Sequence, residues 1–229
     1  MKAIIMAAGK GTRLAPLTDT QPKCMVKVKE IPMIIRTINT LINGVGIPIS
    51  DIIVITGYMQ GIIHQYCALM ASKGLTFITQ FRADGTANAI NLAKKHIKED
   101  FLVLSGDIVY NKCDLMKLRQ LKNSILYTKQ DEKLYEYGTL DICGDKIKAI
   151  HEKSTEPTSH FVNCGTYHFT PEVFDYIPKT SVDERFNERI ITNTINLMIK
   201  DGIEFTGIRV KELNEITYPE DIEKVEVRI

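Results

Sequence analysis

Short apolar runs, each broken by small or polar residues, mark out the first half of the chain. Ala3–Met6 forms the first run and reads as a buried strand that ends where Gly9-Lys10-Gly11 begins. PMIIRTINTLING carries Ile34, Ile35, Ile38, Leu41 and Ile42 at helical spacing, with Gly44 expected as its C-cap. DIIVITG is a second buried strand rich in β-branched residues, followed by a predicted helix over Gln60–Ser72 and a short strand in LTFITQ. GTANAINLAKKHI places Ile90, Ala93 and Ile97 on one helical face, and FLVLSGD is a further apolar strand.

Alternation of strand and helix argues for α/β architecture: a largely parallel sheet with helices on both faces. Such sheets bind ligands at the carboxyl ends of their strands. The residues with chemical potential fall there: the glycine loop after the first strand, Gln80 after the third, and Gly106-Asp107 after the fourth.

The second half is less regular. SILYTK, GTLDI, KIKAIHEK and HFVNCGTYHF read as strands, with breaks at Gly144-Asp145 and Glu156-Pro157. RFNERIITNTINLMIKDG predicts a helix with Ile190, Ile191, Thr194, Ile195 and Met198 inward and Gly202 at its end. IEFTGIRV is another strand, and YPEDIEKVEVRI a closing helix with Pro219 in its first turn. No repeat, low-complexity tract or linker interrupts the chain, so 229 residues suggest one domain, 1–229.

Composition narrows the function classes. A net charge of +1 offers no surface for nucleic acid or an anionic membrane. The five cysteines, Cys24, Cys67, Cys113, Cys143 and Cys164, contain no Cys-x-x-Cys pair, which excludes a zinc ribbon or disulfide framework and suits a reducing compartment. The apolar run after Lys2 is shorter than the ~7–15 residues of a signal-peptide core, and no stretch reaches the ~18 apolar residues of a membrane span. A soluble, cytoplasmic protein is expected. The histidines lack His-x-x-x-His spacing, and His151 and His168 are expected on strands in or beside the pocket.

The loop AAGKGTRL invites three phosphate-binding readings. A Walker A loop requires Ser or Thr after its lysine, but Lys10 is followed by Gly11. A dinucleotide fingerprint requires a third glycine, where this chain has Leu14. What remains is a strand entering a loop without side-chain bulk at Gly9 and Gly11, so backbone N–H groups can approach an anion. Thr12 and Arg13 add a hydroxyl and a fixed cation, and Lys23 adds a second cation on the proline-stiffened QPK turn. Gly-x-Gly alone is only a tight turn; Gly-x-Gly-Thr-Arg-Leu followed by Pro-Leu-Thr and Pro-Lys is far more specific.

With these motifs the sequence resembles the sugar-1-phosphate nucleotidylyltransferases. AAGKGTRLAPLT, QPK, QFRADGTANAI, LSGD, the Tyr137-Gly138 pair, HEK, NCGTYHF and EITYPED occur in the family's order over nearly the whole chain. The resemblance implies a Rossmann-like three-layer α/β/α sandwich of the nucleotide-diphospho-sugar transferase type. It further implies a nucleotide-binding half over about residues 1–110 and a sugar-binding half over about 111–229. Two features depart from the family: Glu215 stands where an aspartate metal ligand is usual, and no tryptophan precedes it. The left-handed β-helix of bifunctional members has no counterpart here, so an attached acetyltransferase activity is not expected.

The implied reaction transfers a nucleoside monophosphate to a sugar 1-phosphate and releases pyrophosphate. Both partners are anions and the attacking phosphate is already ionised, so the task is neutralisation and alignment rather than base catalysis. The resemblance assigns catalysis to Arg13, Lys23 and Asp107, with Asp107 and Glu215 holding Mg2+. It assigns the nucleotide to Ala8, Gly9, Gly11, Thr12, Arg13, Gln80, Gly85 and Thr86. Gln80 has the donor and acceptor needed for the N3–O4 edge of uracil or thymine, favouring UTP or dTTP. Gly138, Glu152, Lys153, Asn163 and Gly165 are implied on the sugar side. Two other readings stay open: a CTP:phosphocholine-type cytidylyltransferase of the same fold, which NEITYPED also resembles, and a non-catalytic nucleotide-sugar-sensing homologue. A homo-oligomer is compatible with all three.

Overall fold

A computed structural model describes all of residues 1–229. In chain order the strands are β1 (Lys2–Ala7), β2 (Lys27–Val28), β3 (Ile31–Pro32), β4 (Ile52–Thr56), β5 (Thr76–Thr79), β6 (Phe101–Ser105), β7 (Ser124–Lys129), β8 (Gly138–Cys143), β9 (Lys146–Glu152), β10 (Phe161–Phe169) and β11 (Phe205–Arg209). The helices are α1 (Met33–Asn39), α2 (Gln60–Tyr66), α3 (Ala68–Ala71), α4 (Thr86–Asn91), α5 (Lys112–Gln120), α6 (Val173–Tyr176), α7 (Ile191–Lys200) and α8 (Pro219–Arg228). Two compact units interleave along the chain. The first comprises Met1–Ala83, Leu104–Met116 and Asn214–Ile229; the second comprises Asp84–Val103 and Lys117–Leu213.

In the first unit β1 pairs with β4 and β4 with β5, all parallel. Every residue of β4 is buried, as expected for a parallel strand covered on both faces. The predicted helix after residue 32 is real, but Gly44 is not its cap. The helix continues as a wide π-type turn, Thr40–Val45, and stops at Gly46, which takes the left-handed conformation at φ 75°. Gly44 instead leaves room for the side chain of Lys112, which a Cβ there would meet at 2.8 Å. The helix predicted over Gln60–Ser72 is broken at Cys67 into α2 and α3.

A small apolar cluster of Leu14, Val26, Val28, Met33, Val109, Ile216 and Val225 ties this unit's loops together. Three of its members follow closely on Arg13, Asp107 and Glu215 in sequence. Full burial of each such side chain stabilises by about 1.5–3 kcal/mol, so the loops bearing those polar residues are held from beneath.

The second unit is mainly antiparallel. Strand β10 pairs antiparallel with the first residues of β6 and with β7; β9 pairs antiparallel with β8 and β11, and only β7 and β11 run parallel. The parallel sheet expected from the sequence is thus a property of the βαβ segments. The later strands alternate in hydrophobicity but give no local sign of direction. Helix α7 begins at Ile191, later than predicted, because Arg185–Ile190 belong to a loop closed by the Asp183–Glu188 bridge. Its inward residues Ile191, Thr194, Ile195 and Met198 are buried as the periodicity requires. Helix α5 has no counterpart among the predicted elements; only Leu115 and Leu118 of its residues are fully buried, too few to reveal a period.

Candidate active site

In the first unit, the ends of three neighbouring parallel strands are stepped together. Ala8, just past β1, accepts the Tyr58 N–H at 3.2 Å, and the Gln80 N–H donates to Thr56 O at 2.8 Å. Gly57 is required there, since a Cβ would lie 2.8 Å from the Ala8 carbonyl. Gln80, half-buried, therefore sits at the carboxyl end of β5, the edge at which such sheets bind ligands.

The glycines of the loop differ in role. Gly11 has φ 67°, and an added Cβ would sit 2.7 Å from the Lys23 Cβ, so the Lys23 stem packs on the space that Gly11 leaves. The Thr18 hydroxyl donates to the Gly11 carbonyl at 2.9 Å and fixes the turn. A Cβ at Gly9 would meet nothing within 4 Å, so the fold makes no demand there. Thr12–Leu14 is a single 3-10 turn with Leu14 buried and Thr12 and Arg13 exposed. The Arg13 guanidinium lies 5.7 Å from the centre of the Tyr218 ring, and the Lys10 ammonium 5.7 Å from that of Tyr58.

Lys23, Asp107 and Glu215 form the charged centre of this unit. Lys23 Nζ lies 2.5 Å from Asp107 Oδ2, while the Ser105 hydroxyl donates to Oδ1 at 2.6 Å. The loop is braced on both sides: Gly106 N–H donates to Met6 O at 2.9 Å, and Ile216 N–H donates to Asp107 O at 3.0 Å. A bridge between Ile108 and Glu215 brings the second carboxyl alongside. Burial pushes the Asp107 carboxyl up, but the Lys23 charge and the bonds from Lys23 and Ser105 hold it below the ordinary range. Glu215 is raised, first by burial and then by the neighbouring Asp107 charge. Cys24, next to Lys23, is pushed up to about 12, chiefly by burial, so its thiol stays protonated and is no nucleophile.

Two neighbouring carboxylates with mutual repulsion fit a hard divalent cation. Mg2+ characteristically takes one or two protein carboxylates and completes its shell with phosphate oxygens and water. No group of three or more His, Cys, Asp or Glu side chains gathers anywhere in the chain, so protein side chains alone make no closed metal cage.

In the second unit, Gly85 takes φ 110°, and a Cβ there would come within 2.2 Å of the Arg189 carbonyl. The Thr86 hydroxyl accepts the Ile191 N–H at 2.9 Å, so this side chain is engaged in starting α7. Gly138 and Glu152 are paired across β8 and β9, and a Cβ on Gly138 would lie 3.0 Å from Glu152 Oε2. Thr192 donates to that oxygen at 3.1 Å, and burial holds the Glu152 carboxyl above its usual range. Asn163 spends its amide internally: Nδ2 donates to Tyr167 Oη at 2.7 Å and Oδ1 accepts the Gly165 N–H at 2.9 Å. Both residues hold the register shift in β10, where Gly165 has φ 61°.

Lys153 is exposed, and its ammonium lies 5.3 Å from the centre of the Phe186 ring. Arg185, which the sequence motifs do not single out, shares that ring at 4.9 Å. Its guanidinium also donates to the Glu152 carbonyl at 2.9 Å and to both oxygens of Asp183, at 3.0 and 2.7 Å. Asp183 is lowered to about 2, mainly by the Arg185 hydrogen bonds. Two cations are thus gathered beside Glu152. The histidines are not part of this group: His168 is buried against the Leu118 carbonyl, and His151 pairs with Asp141 at 2.7 Å on a half-exposed strand face.

This is a Rossmann-like α/β fold with a glycine loop after its first strand, and comparison with known proteins places it. Residues 2–212 match the nucleotidyl transferase family. The chain is 31% identical to the UTP–glucose-1-phosphate uridylyltransferase AglF of Haloferax volcanii, covering 100% of this chain and 96% of that protein. It is also 31% identical to the bifunctional protein GlmU of Methanocaldococcus jannaschii, covering 97% of this chain but about half, 52%, of that relative. A crystal structure described as a putative glucose-1-phosphate thymidylyltransferase of Bacillus anthracis, in complex with a sucrose, superposes with a TM-score of 0.83 at 25% identity. That likeness covers 100% of this chain and 94% of the other. The chain belongs to the nucleotidyltransferase family, among its sugar-1-phosphate nucleotidylyltransferases. No helix is long and apolar enough to cross a membrane.

Proposed function

We propose that the protein couples UTP or dTTP to a sugar 1-phosphate, forming a nucleotide-sugar and pyrophosphate by in-line attack at the α-phosphate. The observation that carries this reading is the Lys23–Asp107–Glu215 cluster beside the open glycine loop. It combines a cation for phosphate with a carboxylate pair for a metal. Likeness to the uridylyltransferase over the whole chain supports UTP and a hexose 1-phosphate.

Arg13 neutralises the triphosphate and the departing pyrophosphate with a forked donor set that lysine does not reproduce. Lys23 binds the α-phosphate and the incoming phosphate, exchanging its pairing with Asp107 for substrate oxygens. Asp107 and Glu215 hold Mg2+, which when bound neutralises charge developing on the phosphates. Backbone N–H groups around Gly9 and Gly11 orient the triphosphate, and Gln80 reads the N3–O4 edge of the base. Glu152 accepts hydrogen bonds from sugar hydroxyls, while Lys153 and Arg185 bind the sugar phosphate.

Pyrophosphate release should be assayed with glucose 1-phosphate, N-acetylglucosamine 1-phosphate and phosphocholine, each against UTP, dTTP, CTP and ATP. Turnover with a sugar 1-phosphate and UTP or dTTP is expected. Turnover confined to phosphocholine and CTP would replace this reading with the cytidylyltransferase one.

A further inference from the structure

We propose that Ser105 and Tyr110 are positioning residues that set the orientation of the Asp107 carboxylate. This inference rests on the reading of Asp107 as a working carboxylate. Ser105 ends β6, and its backbone bonds are closed by a side chain: its N–H donates to Tyr110 Oη at 2.8 Å, and the same phenol donates to the Ser105 carbonyl at 3.1 Å. A phenol has one hydrogen and accepts through its lone pairs, so it meets both demands together. The arc from Ser105 to Tyr110 that bears Asp107 is thereby closed at its neck.

The Ser105 hydroxyl then donates to Asp107 Oδ1 at 2.6 Å, while Lys23 occupies Oδ2 at 2.5 Å. With one partner on each oxygen, the plane of the carboxylate is fixed. Lys23 is free to be drawn to phosphate during the reaction, and Ser105 is then the side-chain donor that keeps the carboxylate in place. Tyr110 acts one step further back by holding the Ser105 backbone. Neither residue touches the reacting atoms in this account.

The test compares Tyr110→Phe, Ser105→Ala and Ser105→Thr with wild type and Asp107→Asn. Manganese binding to the nucleotide-free protein is followed by electron paramagnetic resonance, together with kcat, the KM for sugar phosphate, and Tm. Groups that orient metal ligands typically contribute about 10–100-fold to metal affinity. Tyr110→Phe and Ser105→Ala are expected to weaken Mn2+ binding about tenfold or more and to lower kcat. The KM for sugar phosphate should stay close to wild type. Tm should fall only modestly and most in Tyr110→Phe, where two backbone groups lose their partner. Ser105→Thr should restore both Mn2+ binding and kcat. Wild-type Mn2+ affinity and kcat in Ser105→Ala and Tyr110→Phe, while Asp107→Asn is inactive, would overturn the positioning role and leave the function intact. Wild-type turnover by Asp107→Asn would instead remove the reading beneath it. Should Tyr110→Phe not fold, the Ser105 pair decides alone: loss without rescue by threonine overturns the proposal.

Discussion

Lys23 Nζ and Asp107 Oδ2 lie 2.5 Å apart, both side chains largely withdrawn from water, and the Lys23 stem packs on Gly11. One lysine thus ties the glycine loop to the end of β6. Removing either partner strands the other charge in a partly buried place, so these substitutions act on both the pair and the chemistry. Lys23→Ala and Asp107→Ala are expected to lower kcat by about 10²–10³-fold or more. Steady-state pyrophosphate release, checked against an unchanged circular dichroism spectrum, tests this; near-wild-type kcat in either variant removes the role of that residue.

The two loop glycines should separate fold from function. Gly11→Ala forces a left-handed backbone on alanine, costing about 1–2 kcal/mol, and pushes on Lys23. Its Tm should fall. Gly9→Ala meets nothing in the fold, so Tm should hold while nucleotide affinity drops, because the added methyl occupies the approach to the phosphates. Thermal melts with and without UTP read both effects. A Gly9→Ala protein that binds UTP like wild type would show that the triphosphate does not lie against this loop.

Arg13→Lys keeps the charge and removes the fork, so it isolates the contribution of forked geometry. We expect kcat/KM for UTP to fall about 10²-fold in Arg13→Lys with little change in Tm, since Arg13 is exposed. Full activity in Arg13→Lys would reduce Arg13 to a point charge.

Arg185→Ala should raise the KM for sugar 1-phosphate by roughly 10–100-fold, the equivalent of about 1.5–3 kcal/mol for hydrogen bonds to a charged group. The KM for the triphosphate should be unaffected. An unchanged KM for sugar phosphate would limit Arg185 to pinning its loop through Asp183.

Burial raises the Glu152 carboxyl above its ordinary value of 4.5. The folded protein therefore binds more protons than the unfolded chain between 4.5 and the raised value, and stability falls as pH rises through that window. Glu152→Gln removes this penalty while keeping an acceptor for Thr192. Its Tm relative to wild type should climb across that window and then level off, even as turnover declines. A difference independent of pH, or one that shrinks as pH rises, would contradict the assignment.

Residues whose role depends on near neighbours along the chain are legible in the sequence itself. The strand-to-loop break at Gly9, the Lys23 turn and Asp107 at the end of an apolar strand all declare themselves within a few positions. Arg185 does not, because it is made useful by the Glu152 carbonyl, 33 residues away. Tyr110 reads as an ordinary aromatic, because its role comes from the bonds its phenol makes with the Ser105 backbone. Asn163 shows what the sequence hides: one amide N–H and one lone pair are engaged by Tyr167 and Gly165, partners that only the bend in β10 brings to it. Strand direction in the second unit is illegible for a similar reason, since the pairing of β10 with β6 and β7 joins residues far apart along the chain.

The central claim, attack at the α-phosphate, is tested most directly by following label from UTP in the presence of glucose 1-phosphate and Mg2+. With the α-phosphorus labelled, the account predicts that radioactivity appears in a nucleotide-sugar; with the γ-phosphorus labelled, it appears only in pyrophosphate. Transfer of the γ-label to the sugar phosphate, or release of the α-label as UMP without a sugar product, would contradict it.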